Sequence, residues 1–158
     1  MAIERVTEYL KSYGLEDRIH RFSVSSATVA LAAAALGVEE ARIAKTMSFL
    51  AGDHAILVVA AGDVRVDNRK FKDAFHTKAK MVPPERLGEL VGHEMGGVCP
   101  FAIKDACEVW LDESLKRFDT VYPAAGDAAS AVELTVPELE KSAHARGWVD
   151  VCNPIAQP

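Results

Sequence analysis

Two strand-like runs, Ile43 to Leu50 and Ile56 to Ala60, flank the stretch Ala51-Gly52-Asp53-His54, whose residues predict a hairpin loop. Side chains alternate along a strand, so Ile43, Lys45, Met47 and Phe49 share one face of the first run. Ala44, Thr46 and Ser48 take the other. Lys45 therefore sits among large apolar neighbours. It must pair, snorkel outward or serve a pocket, because an unpaired buried ammonium is costly.

The rest of the chain supplies elements to pack around that hairpin. Residues 3 to 13 carry apolar side chains at helical spacing, and Gly14 stops the run. Arg18 to Val24 alternates as a short strand. Ser25 or Ser26 is expected to cap an alanine-rich helix through Leu36, closed by Gly37. Asp67 caps a helix to about Phe75, with Phe71, Ala74 and Phe75 facing inward. Lys78 to Val82 reads as a strand, and Pro83-Pro84 opens a helix through Val91. Further strands are expected at Phe101 to Ile103, Glu108 to Leu111, Thr120 to Tyr122, Val132 to Thr135 and Trp148 to Val151, with a helix beginning at Pro137. Many strands with several intervening helices argue for a mixed α/β sheet, open or rolled into a barrel.

The chain has 158 residues, which fits one domain spanning 1–158. The longest apolar runs, Ala27 to Leu36 and Ala55 to Ala61, fall well short of the roughly 20 residues a bilayer span needs. The start, Met1-Ala2-Ile3-Glu4-Arg5, lacks the basic-then-apolar order of a signal peptide, so a cytoplasmic location without membrane partners is expected. Cys99, Cys107 and Cys152 are odd in number and show no C-x-x-C spacing, which argues against a disulfide framework or a zinc ribbon. Net charge is −5, which disfavours duplex DNA. It is unevenly spread, however. Residues 65–80 are net +4, through Arg65, Arg69, Lys70, Lys72, Lys78 and Lys80 against Asp67 and Asp73, which leaves the remainder at −9. Such a strip is either a solvated helix face or a salt-sensitive phosphate contact through Arg69, Lys70 and Lys72.

One loop is dense in glycine: Gly92-His93-Glu94-Met95-Gly96-Gly97-Val98-Cys99-Pro100. Gly96-Gly97 lets a ligand approach the main chain, Pro100 stiffens the exit, and exposed amides in such a turn can polarise an ester carbonyl. The same loop also fits a plain tight turn. Cys99 with His93 as its base is a third option, though no further partner is evident. His93, Cys99 and Cys107 match no common metal spacing, and no cofactor or metal is expected.

Taken together, these stretches are more specific than any one of them. Ser26-x-Thr28, Ala33-x-x-Leu36-Gly37-Val38, Arg42-Ile43-Ala44-Lys45-Thr46 and Asp67-Asn68-Arg69-Lys70-Phe71 resemble the YbaK/EbsC/ProX family. So do the G-x-x-x-P loop Gly96 to Pro100, the run Val109 to Leu115, and Tyr122-Pro123-Ala124-Ala125-Gly126. The resemblance covers about residues 15 to 151. It implies a single α/β (α+β) domain with a mixed, mostly antiparallel sheet partly closed into a barrel and surrounded by helices, related to the editing insertion of bacterial prolyl-tRNA synthetases. It implies a deacylase that hydrolyses mischarged aminoacyl-tRNA in trans, with a prolyl-tRNA synthetase as a further partner. Lys45 corresponds to the family's essential lysine, and Gly96, Gly97, Val98, Cys99 and Pro100 to its catalytic loop. Ser26, Thr28, Thr46 and Gly126 are expected to line the substrate site. Phe22-Ser23-Val24-Ser25-Ser26 stands where the cysteine-specific branch carries a histidine–acid pair. The resemblance is therefore closer to the ProX-like branches, which remove alanine or other small residues, here from tRNA(Pro). A non-catalytic module that binds aminoacyl-tRNA or an amino acid is the alternative.

Overall fold

A computed structural model describes residues 2–155; Met1 and residues 156–158, the ends of the expected 1–158 domain, lie outside the described residues. Helix α1 (Ala2–Lys11) buries Ile3, Val6 and Leu10 along one stripe. The expected hairpin forms from β2 (Ala44–Ala51) and β3 (His54–Ala61), after the short strand β1 (Ile19–Arg21) and helix α2 (Val29–Leu36). Its two strands pair antiparallel from Ala44↔Ala61 to Ala51↔His54, so only Gly52 and Asp53 are left for the turn.

β3 is then flanked on its other edge by β5 (Glu108–Asp112), in parallel, and β5 by β9 (Trp148–Val149), also in parallel. Residues Leu57 to Ala61 are fully buried, as a central strand covered on both faces should be. Between these lie β4 (Val64–Val66), helices α3 (Asn68–Phe75) and α4 (Leu87–Leu90), and strands β6 (Thr120–Val121), β7 (Ser130–Val132) and β8 (Leu134–Thr135). Helix α5 (Val136–Ser142) and β10 (Cys152–Pro154) complete the described chain. Three two-stranded antiparallel pairs, β1–β7, β4–β10 and β6–β8, surround the four-stranded sheet. The result is a single α+β domain with a mixed sheet.

Two features of the sheet bear on what was expected of it. In the four-stranded sheet two of the three pairings are parallel, but the longest, β2 with β3, is antiparallel, as are the three peripheral pairs. No fully closed barrel is found among the described strands. The free edge of β2 meets only isolated bridges, Ile43 to Tyr122 and Phe49 to Met81, where closure would need a continuous ladder.

Local corrections have local causes. The strand expected at Arg18 to Val24 stops at Arg21, and Val24 is exposed. Thr28, not Ser25 or Ser26, caps α2, its hydroxyl accepting from Leu31 N at 3.2 Å. Ser26 is unavailable because its hydroxyl is bound to the backbone of Ser130. Lys78 to Val82 reaches β2 through two backbone bonds and one bridge without becoming a strand. Phe101 to Ile103 is not a strand either, since Ala102 takes φ 53°. Ala74 is exposed, whereas Phe71 and Phe75 pack inward as expected.

Candidate functional site

Alternation along β2 determines what the sheet offers on each side. Ala44, Thr46 and Ser48 line a cavity of about 280 Å³, while Met47 and Phe49 do not. Gly96 and Val98 from the glycine loop form part of the same wall, as do Ser26 and Thr28 ahead of α2. Ala32, Ile43, Val82 and Leu87 supply apolar surface, and Met81 and Met95, 60% and 66% exposed, border it from the solvent side.

Lys45 also lines the cavity, but its ammonium is tethered. Nζ donates to the carbonyl of Val64 on β4. Burial pushes that ammonium below the usual lysine range, outweighing the attraction of nearby Asp63. Asp63 is itself held low, chiefly by a two-pronged contact from Arg117 at 2.6 and 3.0 Å.

The polar side chains of the cavity fall into two groups. Ser26 Oγ accepts from Ser130 N at 3.0 Å and donates to Ser130 O, while Ser130 Oγ donates to Asp127 at 2.6 Å. Thr28 caps α2. By contrast, Thr46 Oγ1 and Ser48 Oγ are buried and have no hydrogen-bond partner among the described residues. Ser48 was not among the expected site residues; its place opposite Lys45, as a small polar side chain in an apolar strand, was the available signal.

The glycine loop serves the site through its backbone. Gly97 packs so closely on the neighbouring turn that a Cβ would fall 2.6 Å from the carbonyl carbon and oxygen of Gly126. Gly126 takes φ 103° beneath that contact and so braces the loop without lining the cavity. The Gly97 amide donates to Glu94 O at 3.0 Å, which removes it as a donor to substrate. The Val98 amide carries no bond among the described residues.

Cys99 and Pro100 lie behind this wall. Cys99 is fully buried, its Sγ 3.4 Å from His93 Nε2, and burial pushes the thiol up to about 12. Burial also lowers His93, whose Nε2 bonds the carbonyl of Phe101 at 2.7 Å. A neutral, enclosed thiol is a poor nucleophile, so the pair holds the loop together. Among the described residues no group of three or more His, Cys, Asp and Glu side chains is arranged to hold a metal ion.

The basic strip is divided. Lys70 is engaged by Asp150 and the Cys152 carbonyl, both at 3.1 Å, and ties α3 to the chain around β10. Arg65 and Arg69 are exposed and border a surface cleft with Asn68 and Asn153; Lys72 is exposed on the same helix as Arg69. No helix among the described residues is long and apolar enough to cross a membrane.

Comparison with known proteins bears on this geometry. The chain is 46% identical over 153 residues to the uncharacterized protein YwhH of Bacillus subtilis, covering 96% of this chain and 98% of that one. It is 25% identical over 111 residues to the proline–tRNA ligase of Lactiplantibacillus plantarum, covering 70% of this chain but 19% of the ligase, so it spans about a fifth of that enzyme's length. A solved structure of a candidate trans-editing enzyme for prolyl tRNA synthetase superposes with a TM-score of 0.87 at 27% identity, covering 96% of this chain and 97% of the other. The family model described as the aminoacyl-tRNA editing domain matches residues 24–142. That span contains every residue named above as a wall of the cavity, and the chain belongs to the aminoacyl-tRNA editing domain family.

Proposed function

We propose that this protein is a free-standing deacylase that hydrolyses the ester of mischarged aminoacyl-tRNA, its substrate being tRNA(Pro) carrying alanine or another small amino acid. The observation that carries the reading is one cavity joining Lys45 of β2 to Gly96 and Val98 of the glycine loop. An aminoacyl ester is already activated, so hydrolysis needs positioning and charge stabilisation more than a strong nucleophile. Lys45 anchors the 3′ end of the tRNA, a phosphate oxygen displacing the Val64 carbonyl from its ammonium through a stronger, charge-assisted bond. The Val98 amide polarises the ester carbonyl. Water adds to the carbonyl carbon, the bond to the ribose oxygen breaks, and that oxygen leaves as the hydroxyl of the terminal ribose, with the free amino acid as the other product. The adjacent ribose hydroxyl assists the water, as the family resemblance implies, which suits a cavity that, among the described residues, is lined by neither a histidine nor a carboxylate.

Arg69 and Lys72, joined by Arg65, offer exposed charge for tRNA phosphates, while Lys70 contributes mainly to the fold. The protein works in the cytoplasm, and a prolyl-tRNA synthetase is the natural source of its substrate. The test is deacylation of a panel of mischarged tRNAs, Ala-tRNA(Pro) included, by the wild type and Lys45→Ala. A fall of about 100-fold or more with an unchanged melting transition is expected, in the range seen when a stabilising donor is removed. Equal rates would remove Lys45 from the site, and binding without turnover by the wild type would make the protein a binding module.

A further inference from the structure

The cavity contains more hydrogen-bonding capacity than its own walls consume. Four of its polar side chains are committed within the protein: Ser26 to the backbone of Ser130, Ser130 to Asp127, Thr28 to the start of α2, and Lys45 to the Val64 carbonyl. Thr46 and Ser48 are not. Ser48 is 4% exposed, lines the cavity and has no partner for its hydroxyl among the described residues. A buried hydroxyl left unpaired is costly, so its retention within an apolar wall calls for an occupant that satisfies it.

The position of Ser48 indicates which part of the occupant that is. Thr46 adjoins Lys45, on the part of β2 that holds the tRNA end in the reading above. Ser48 lies two residues further along the same face, about 7 Å at the usual rise of a strand. Its backbone is clamped on both sides, by β3 through the Leu57 register and by Val82, whose amide donates to Ser48 O at 2.9 Å. The hydroxyl is therefore delivered at a fixed point, beside a wall to which Val82 and Leu87 contribute apolar surface. An apolar pocket alone discriminates weakly against a hydroxyl-bearing isostere, whereas a buried hydrogen-bonding group rejects a substrate that leaves it unpaired.

We propose that Ser48, supported by Thr46, is a hydroxyl-reading subsite that makes the protein selective for a small amino acid bearing a side-chain hydroxyl, of the seryl and threonyl class, over its methyl-bearing isostere. The inference rests on the deacylase reading and sharpens its substrate.

The experiment compares kcat/KM for one tRNA(Pro) charged in turn with serine, 2-aminobutyrate, threonine and valine. Each pair differs by hydroxyl against methyl at nearly constant size. The wild type is expected to favour the hydroxyl member at least tenfold in both pairs. Ser48→Ala brings the seryl rate down to that of the 2-aminobutyryl ester, and Ser48→Cys, which keeps the bulk but is a weak donor, does the same. Equal wild-type rates within each pair would overturn the assignment. So would variants that lower all four rates by one common factor, the signature of a purely structural role. Alanyl-tRNA(Pro) serves as the control: its hydrolysis with none of the four turned over would overturn this assignment alone, whereas failure on all five esters would overturn the deacylase reading and this inference with it.

Discussion

Along β2, the six residues from Ala44 to Phe49 serve two different tasks. On one face Lys45 spends its ammonium on a backbone carbonyl, and Phe49 enters a chain of aromatic rings, 4.6 Å from Phe71, which is in turn 4.8 Å from Phe75. On the other, Ala44, Thr46 and Ser48 open onto the cavity, and the two hydroxyls remain unspent. Lys45 reaches the cavity too, but its ammonium is satisfied within the fold, whereas the two hydroxyls have no partner among the described residues. Close packing with completed bonds gives stability, whereas a wall with leftover hydrogen-bonding capacity costs stability and offers recognition. The same strand thus ties the site to the packed aromatic rings of the core.

The contrast can be tested by truncating each face in turn. Phe49→Ala, which empties a ring position 3% exposed, is expected to cost about 3–5 kcal/mol in urea unfolding, whereas Ser48→Ala, which removes an unpaired hydroxyl, is expected to be neutral or to stabilise by up to about 1 kcal/mol. Comparable losses at the two positions would mean that the cavity face is structural after all. A smaller effect is expected at the opposite wall. Gly97→Ala forces a Cβ against the Gly126 backbone, which cannot yield as a flexible side chain would, at a cost of about 1–3 kcal/mol. Because the strain falls on the loop that carries Val98, ester hydrolysis is expected to fall further than stability does; a parallel decline would place the loop outside the reaction centre.

The smallest effect lies at the hairpin end, beyond both faces. His54 Nε2 meets Glu108 at 2.6 Å, which raises the imidazole above its usual value and lowers the carboxyl. A group whose pKa is raised on folding stabilises most below its unfolded value of about 6.5, and that contribution disappears as pH rises through the folded value. Wild type is therefore expected to melt about 1–2 °C above His54→Gln at pH 6 and level with it at pH 9, in keeping with a partly exposed ion pair. A difference that grew with pH would reverse the assigned sign.

What was legible in advance was local. The Asp67 cap, the Gly37 stop and the β2–β3 hairpin follow from residues that act on neighbours within a few positions, and all three form. Expectations failed where distant segments compete for the same group. Ser26 could not cap α2 because β7 takes its hydroxyl. The strand expected at Trp148 to Val151 ends at Val149, and the Val151 amide goes instead to the Asp112 carboxylate. Strands β4 and β10 escaped notice because three residues show too little alternation to stand out.

The site divides in the same way. Family motifs brought Lys45, Thr46, Gly96, Val98, Ser26 and Thr28 into view, and the structure gathers them around one cavity. The same motifs also pointed to Gly97, Cys99, Pro100 and Gly126, which the structure places behind that wall as supports. The order of residues in β2 determined by itself that Lys45 and Ser48 face opposite ways, because the pleat repeats every two residues whatever surrounds it. Only tertiary structure decided that β4 would satisfy the lysine and that nothing among the described residues would satisfy the serine. Hydrogen-bond partners are assigned by segments brought together in space, and the spacing of residues along one strand carries no record of them.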